Sequence, residues 1–221
     1  MFSGLLSFLF AASSITLGDL PPERVETIAQ EVISELAGHA PKSPELVVTR
    51  RPEPTPLGAI RYRGGRCKLV INITDSAWSQ WSRFLHKENQ QDWDNIIRAS
   101  VAHEIGHCLP EHGAQMAHIE LSENALNALS QIEHTHSDRH EHILRQELFA
   151  DTVAILYARE FLAEAQADKV VHAIIAARDQ FGRNEPTHNT AAELRELVKS
   201  GVAREQGETL GQAAIRVLAA L

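Results

Sequence analysis

The sequence has two cysteines in 221 residues, few aromatics at 5%, and no run of lysine and arginine. Cys67 and Cys108 are too few for the disulfide framework of a small secreted scaffold, and their spacing does not set whether they pair. A net charge of -8 without a basic face argues against a nucleic-acid partner, because phosphate binding needs clustered positive charge. The one basic cluster, Arg50-Arg51 with Arg61 to Arg66, reads as a solvated hairpin. No apolar stretch reaches the roughly 20 residues of a membrane span, and no segment repeats. What is present, 43% hydrophobic and 23% charged residues, fits a helix-rich globular chain with one buried core. Residues 1–18 carry the apolar run and small-residue exit of a signal peptide but lack its positive start, so they are a signal or an amphipathic N-terminal segment. A signal would make the chain exported, periplasmic or membrane-associated; without one it is cytoplasmic. Residues 19–221 are expected to form a single catalytic domain.

Apolar periodicity divides that domain. A helix is expected over Glu23 to Leu36, where Val25, Ile28, Ala29, Val32 and Ile33 recur at three- and four-residue steps. Prolines from Pro41 to Pro56 bracket a short strand, Leu46 to Thr49. Ala59 to Arg63, Gly64-Gly65 and Arg66 to Thr74 read as a β-hairpin, with Cys67 to Ile73 its best strand. Trp78, Trp81, Phe84 and Leu85 form one helical face. Asp92 is placed to cap the next helix, whose stripe runs through Ile96, Ile97, Val101, Ile105 and Leu109 until Pro110 stops it. Glu120 to Ile132 allows a helix, and His134, His136, His140 and His142 follow in a polar tract. Further helices are expected over Ile143 to Phe161, Glu164 to Phe181, Thr190 to Ser200 (opened by a Thr190–Glu193 capping box) and Thr209 to Leu221. The fold class is α+β, mostly helical, with a small antiparallel sheet.

Embedded in the Asp92-capped helix is His103-Glu104-Ile105-Gly106-His107. Side chains four apart lie on one helical face, so both imidazoles can converge on one ion. Glu104, one residue round, is placed to approach a metal-bound water as a base. Cys108 falls off that face and reads as a small core residue. A catalytic zinc takes a third protein ligand. Metzincins continue to a Gly and a third His, but Pro110 and Gly113 occupy those positions and exclude that branch. His112 is one residue out of register, and Glu123 is followed four residues on by Asn127. Glu147 is better supported: Asp151 lies one turn beyond, where it can accept the free N–H of a ligating imidazole. Ala150 and Ala154, with Gly106 on the other helix, would let the two helices approach closely.

His103-Glu104-Ile105-Gly106-His107 with Glu147-Leu148-Phe149-Ala150-Asp151 resembles the gluzincin zinc metallopeptidases, in particular the HtpX, Oma and CAAX prenyl protease branch. Thr187-His188-Asn189 and Arg195 are similar to that branch's later Thr-His-Pro and Arg. The resemblance implies a zincin-like fold and an endopeptidase with one catalytic zinc on His103, His107 and Glu147. Glu104 would be its base and Asp151 the partner of an imidazole. His188, on a loop before a helix, is a candidate oxyanion donor. A protein or peptide substrate could add as an extra strand along Cys67 to Ile73, were that strand an edge. Two other readings stand beside it: an intracellular repressor-cleaving protease of the ImmA/IrrE type, and a non-catalytic His-rich zinc-binding protein.

Overall fold

The structure, a computed structural model, describes residues 18–40, 42–51, 56–61, 66–81, 85, 92–114, 119–121, 126, 129, 137–182 and 185–221. Residues 1–17, the Gly64-Gly65 turn, Phe84, Glu123, Asn127, His134, His136 and the side chain of Trp81 lie outside the described residues. The first helix, α1 (Pro22–Glu35), opens on a proline whose missing N–H would have had no helical partner. Its stripe of Val25, Ile28, Ala29 and Val32 is buried. Just ahead, Leu20 is fully buried and its carbonyl accepts the Trp78 indole N–H at 2.7 Å, which ties the chain's entry to α2 (Asp75–Trp81).

Three strands, β1 (Glu45–Thr49), β2 (Leu57–Arg61) and β3 (Cys67–Asn72), form one sheet in the order β1-β3-β2. The β2/β3 pair is antiparallel, as the hairpin reading requires, but β1 pairs parallel to β3, with Glu45 opposite Lys68 and Thr49 opposite Asn72. The sheet is therefore mixed, and the expectation of an antiparallel one is corrected. The proline-rich connection after β1 is too long for a tight hairpin turn, so β1 and β2 end up on opposite sides of β3. The centre goes to the strand with most to bury: Cys67, Leu69 and Ile71 face the core. Consequently β3 is not an edge, as the strand-addition reading required; among the described strands β1 and β2 are.

The helices that follow are α3 (Trp93–Cys108), α4 (Glu111–Ala114), α5 (Ser137–Phe161), α6 (Glu164–Gly182), α7 (Ala191–Ser200) and α8 (Leu210–Leu218), with a 3₁₀ turn at Pro186–His188. Two expected caps are absent. Asp92 makes no side-chain cap bond and instead holds the Lys169 ammonium at 3.1 Å. Thr190 does not cap α7 either, because its hydroxyl is drawn inward to Asp151; the capping box belongs to Thr209 and Gln212, at the start of α8. The helix expected from Ile143 begins earlier, at Ser137, so His140 and His142 lie on α5 rather than in a loop.

The centre of the molecule is the crossing of α3 and α5. Every residue from Leu148 to Ala158 is buried, as are Val101, Ala102, Ile105 and Gly106 across from them. A helical stretch covered on every side, and apolar but for Asp151 and Thr152, belongs inside a core rather than on its surface. Close approach depends on Gly106: a Cβ there would stand 3.0 Å from the Ala150 Cα and 3.3 Å from its Cβ. A disulfide joins Cys108, the last residue of α3, to Cys67 at the start of β3, with Cα atoms 5.7 Å apart. The reading of Cys108 as merely a small core residue is thus incomplete. Among the described residues no helix is long and apolar enough to cross a membrane.

Candidate metal centre

Helix α3 presents His103 and His107 on one face, and α5 brings Glu147 up against them because Gly106 and Ala150 leave no bulk between the axes. The His103 and His107 Nε2 atoms are 3.2 Å apart. Glu147 completes a triangle, with Oε2 3.6 Å from His103 Nε2 and Oε1 3.5 Å from His107 Nε2. Ligand atoms each about 2.0–2.1 Å from a tetrahedral zinc must lie roughly 3.3 Å from one another. The 3.2 Å between the imidazole nitrogens matches that requirement, a Glu147 oxygen stands at a similar distance from each of them, and this is the one candidate metal cluster among the described residues.

Behind each imidazole stands a different partner. The His103 Nδ1 is 2.9 Å from Asp151 Oδ1, the contact that the Glu147 and Asp151 spacing led one to expect. Asp151 is held by two more groups: Arg178 donates through Nε to Oδ2 at 2.8 Å and through Nη2 to Oδ1 at 2.7 Å, and the Thr190 hydroxyl donates to Oδ2 at 2.6 Å. Burial alone would raise the Asp151 pKa, but the Arg178 charge and the His103 hydrogen bond outweigh it and hold the carboxyl well below its usual range. The same contact works on His103, where burial favours the neutral ring but the bond to Asp151 raises the pKa on balance. His107, by contrast, leans through Nδ1 on the Nε2 of His112 at 2.8 Å. Burial, with His103 and His112 nearby, pushes its pKa far down, so the ring is held neutral with a lone pair to offer. His112 is itself buried against Phe149. It stands behind His107 instead of beside Glu147, which answers its candidacy as the third ligand.

Glu104 lies on the same helix, with its carboxylate close to the backbone of Ala59 on β2. Burial raises its pKa, the direction that suits a group which must take up and return a proton near neutrality. His188, one third exposed, directs Nε2 toward Glu147 Oε1 at 3.8 Å, while Nδ1 stands 3.1 Å from the Thr187 hydroxyl. Arg195 does not join them: it pairs with Asp179 at the surface. The arginine that does reach the site is Arg178 of α6, whose Nη2 also donates to Glu147 Oε2 at 3.0 Å. Sequence reasoning missed it, and no local spacing marks it. Three carboxylates, Glu104, Glu147 and Asp151, thus face one guanidinium, a donor set with the net negative charge a divalent cation would balance.

No protein-family model, curated protein or solved structure matches the chain. The reading of the site therefore stands on its geometry and on the motif.

Proposed function

We propose that this chain is a zinc-dependent endopeptidase of zincin-like fold, similar to gluzincins, with His103, His107 and Glu147 as ligands and Glu104 as base. The observation that carries the proposal is the triangle of two imidazoles and one carboxylate at tetrahedral spacing, with a second carboxylate beside it on the same helix. Zinc bound there supplies Lewis-acid polarisation of a peptide carbonyl and lowers the pKa of water from 15.7 toward about 7. Glu104 takes the proton of the attacking water and returns it to the leaving amine. Burial keeps the basicity of that carboxylate high. His188 is the donor for the oxyanion, with its Nε2 directed at the rim of the site.

Substrate binding follows from the corrected sheet order. Among the described residues β2 pairs only with β3, and its Ala59 lies close to Glu104, so the outer side of β2 borders the site. An extended peptide adds there as a further strand, held mainly by main-chain bonds. Gly58 leaves open space along this strand and Ile60 is exposed.

The disulfide favours the exported reading over the cytosolic repressor-cleaving one, since such bonds persist in oxidising compartments. Of the tract behind the His-rich reading, His140 and His142 belong to no metal cluster among the described residues, and His134 and His136 lie outside them. Zinc analysis alongside casein hydrolysis tests the proposal. Glu104→Gln is expected to keep one zinc per chain and lose cleavage; undiminished activity would remove Glu104 from the mechanism. Glu147→Ala is expected to lose zinc and His112→Ala to keep it, and the reverse pattern would move the third ligand.

A further inference from the structure

Arg178 is an expensive residue to have where it is. A guanidinium taken out of water costs several kcal/mol unless its donors are met by good acceptors. Only 14% of this side chain is exposed. Two of its nitrogens are met by groups of the metal centre: Nε and Nη2 fork onto the two oxygens of Asp151, and Nη2 reaches Glu147 Oε2. The same Nη2 lies 3.4 Å from His103 Nδ1. One side chain from α6 therefore touches a proposed ligand on α3, a proposed ligand on α5, and the carboxylate that orients the first.

The consequences differ for the two carboxylates. Asp151 has every acceptor direction engaged, by His103, by Arg178 twice and by Thr190, so it cannot rotate away from the His103 ring. Glu147 is a ligand on a flexible stem; with Oε2 held at 3.0 Å, Oε1 is left facing His107 and His188. Without a cation in place, three carboxylates crowded at this crossing would repel one another. A lysine could supply the charge but not the planar fork that grips both Asp151 oxygens.

We propose that Arg178 is the positioning residue of the metal centre, a built-in cation that fixes Asp151 and Glu147 in their binding orientation before the metal arrives. This rests on the zinc reading above. Partners one step removed from a metal typically change its affinity roughly 10–100-fold when removed. The test compares wild type, Arg178→Met and Arg178→Lys by zinc competition against a chromophoric chelator and by the visible absorption of the cobalt-substituted proteins. Arg178→Met is expected to bind zinc roughly 10–100-fold more weakly, with shifted cobalt bands, and Arg178→Lys to recover part of both. Should Arg178→Met fail to fold, Arg178→Lys decides alone, through weaker zinc binding and shifted bands than wild type. Wild-type affinity and an unchanged cobalt spectrum in the folded variants would overturn the proposal, even if their melting temperatures fell, since that is the signature of a purely structural anchor. A wild-type chain that takes up no zinc would instead overturn the function proposed above, and this inference with it.

Discussion

The two imidazoles of the site sit one helical turn apart, yet the molecule supports them in opposite ways. His103 is backed by a charged cluster, Asp151 with Arg178 and Thr190, drawn from α5, α6 and the start of α7. His107 is backed by the ring of His112, and the residue after it is bonded to β3 through Cys108. One half is oriented by buried charge whose members hold one another; the other by a hydrogen bond between two rings, ring packing and a covalent tie. The difference has a thermodynamic consequence. Removing one member of a buried charged set leaves the others poorly paired, whereas removing a ring that makes one hydrogen bond costs about that bond and some packing.

The largest effect is therefore expected from Asp151→Asn, which leaves Arg178 with Glu147 as its remaining hydrogen-bonded carboxylate: about 3–5 kcal/mol of stability lost, together with weakened zinc binding. His112→Ala is expected to cost about 1–2 kcal/mol and to keep its zinc. Urea unfolding with metal analysis checks both. Equal losses in the two variants would break the comparison.

This asymmetry also explains what could be read from the sequence. His103, Glu104 and His107 are local to one helix, as Glu147 and Asp151 are to another, and helical periodicity alone puts each set on one face. Gly106 and Ala150 could be matched because small residues on both motif-bearing helices point to a close crossing. Arg178 lies 27 residues from Asp151 on a third helix, and its arrival depends on how α5 and α6 pack, which no period encodes. Thr190 shows the limit of motif matching. Thr190 with Glu193 and Thr209 with Gln212 have the same capping spacing, but only the second is free to cap, because the first hydroxyl is taken by a buried carboxylate. The strands were likewise legible as strands, while the parallel pairing of β1 with β3 and the bonding of cysteines 41 residues apart both depend on three-dimensional packing.

On the His107 side the covalent tie is the larger support. Replacing Cys67 and Cys108 together by serine is expected to cost about 2–4 kcal/mol, through the greater freedom of the unfolded chain. Thermal melting of the oxidised protein against the double variant measures it; identical melting temperatures would remove the disulfide from the comparison. Gly106→Ala acts on both halves at once. Its new methyl would press on the Ala150 backbone at 3.0 Å, so the helices must part, at about 1–3 kcal/mol. Because parting the helices also draws Glu147 away from both imidazoles, zinc affinity should fall in the same variant, and undiminished affinity would show that the centre tolerates the shift.

The smallest effect is expected behind His112, where α8 docks. Glu111, its chain neighbour, accepts the Thr209 hydroxyl at 3.2 Å, and the Leu210 N–H donates to His39 Nδ1 at 3.1 Å. Burial lowers the His39 pKa and the Arg204 charge adds to this, against a smaller opposing pull from Glu160. A histidine whose folded pKa is depressed contributes stability that is complete above its unfolded value of about 6.5 and declines as pH falls below it, since the unfolded chain takes the proton first. Protonation at Nδ1 also removes the acceptor that Leu210 uses. His39→Asn keeps an acceptor near that position and abolishes the titration. Between about pH 7.5 and 5.5, the wild-type melting temperature should fall relative to that of the variant. Parallel curves would mean that α8 is held by the Thr209 capping box and its apolar face alone. The His107 half of the site would then owe nothing to the charge state of the segment packed behind it.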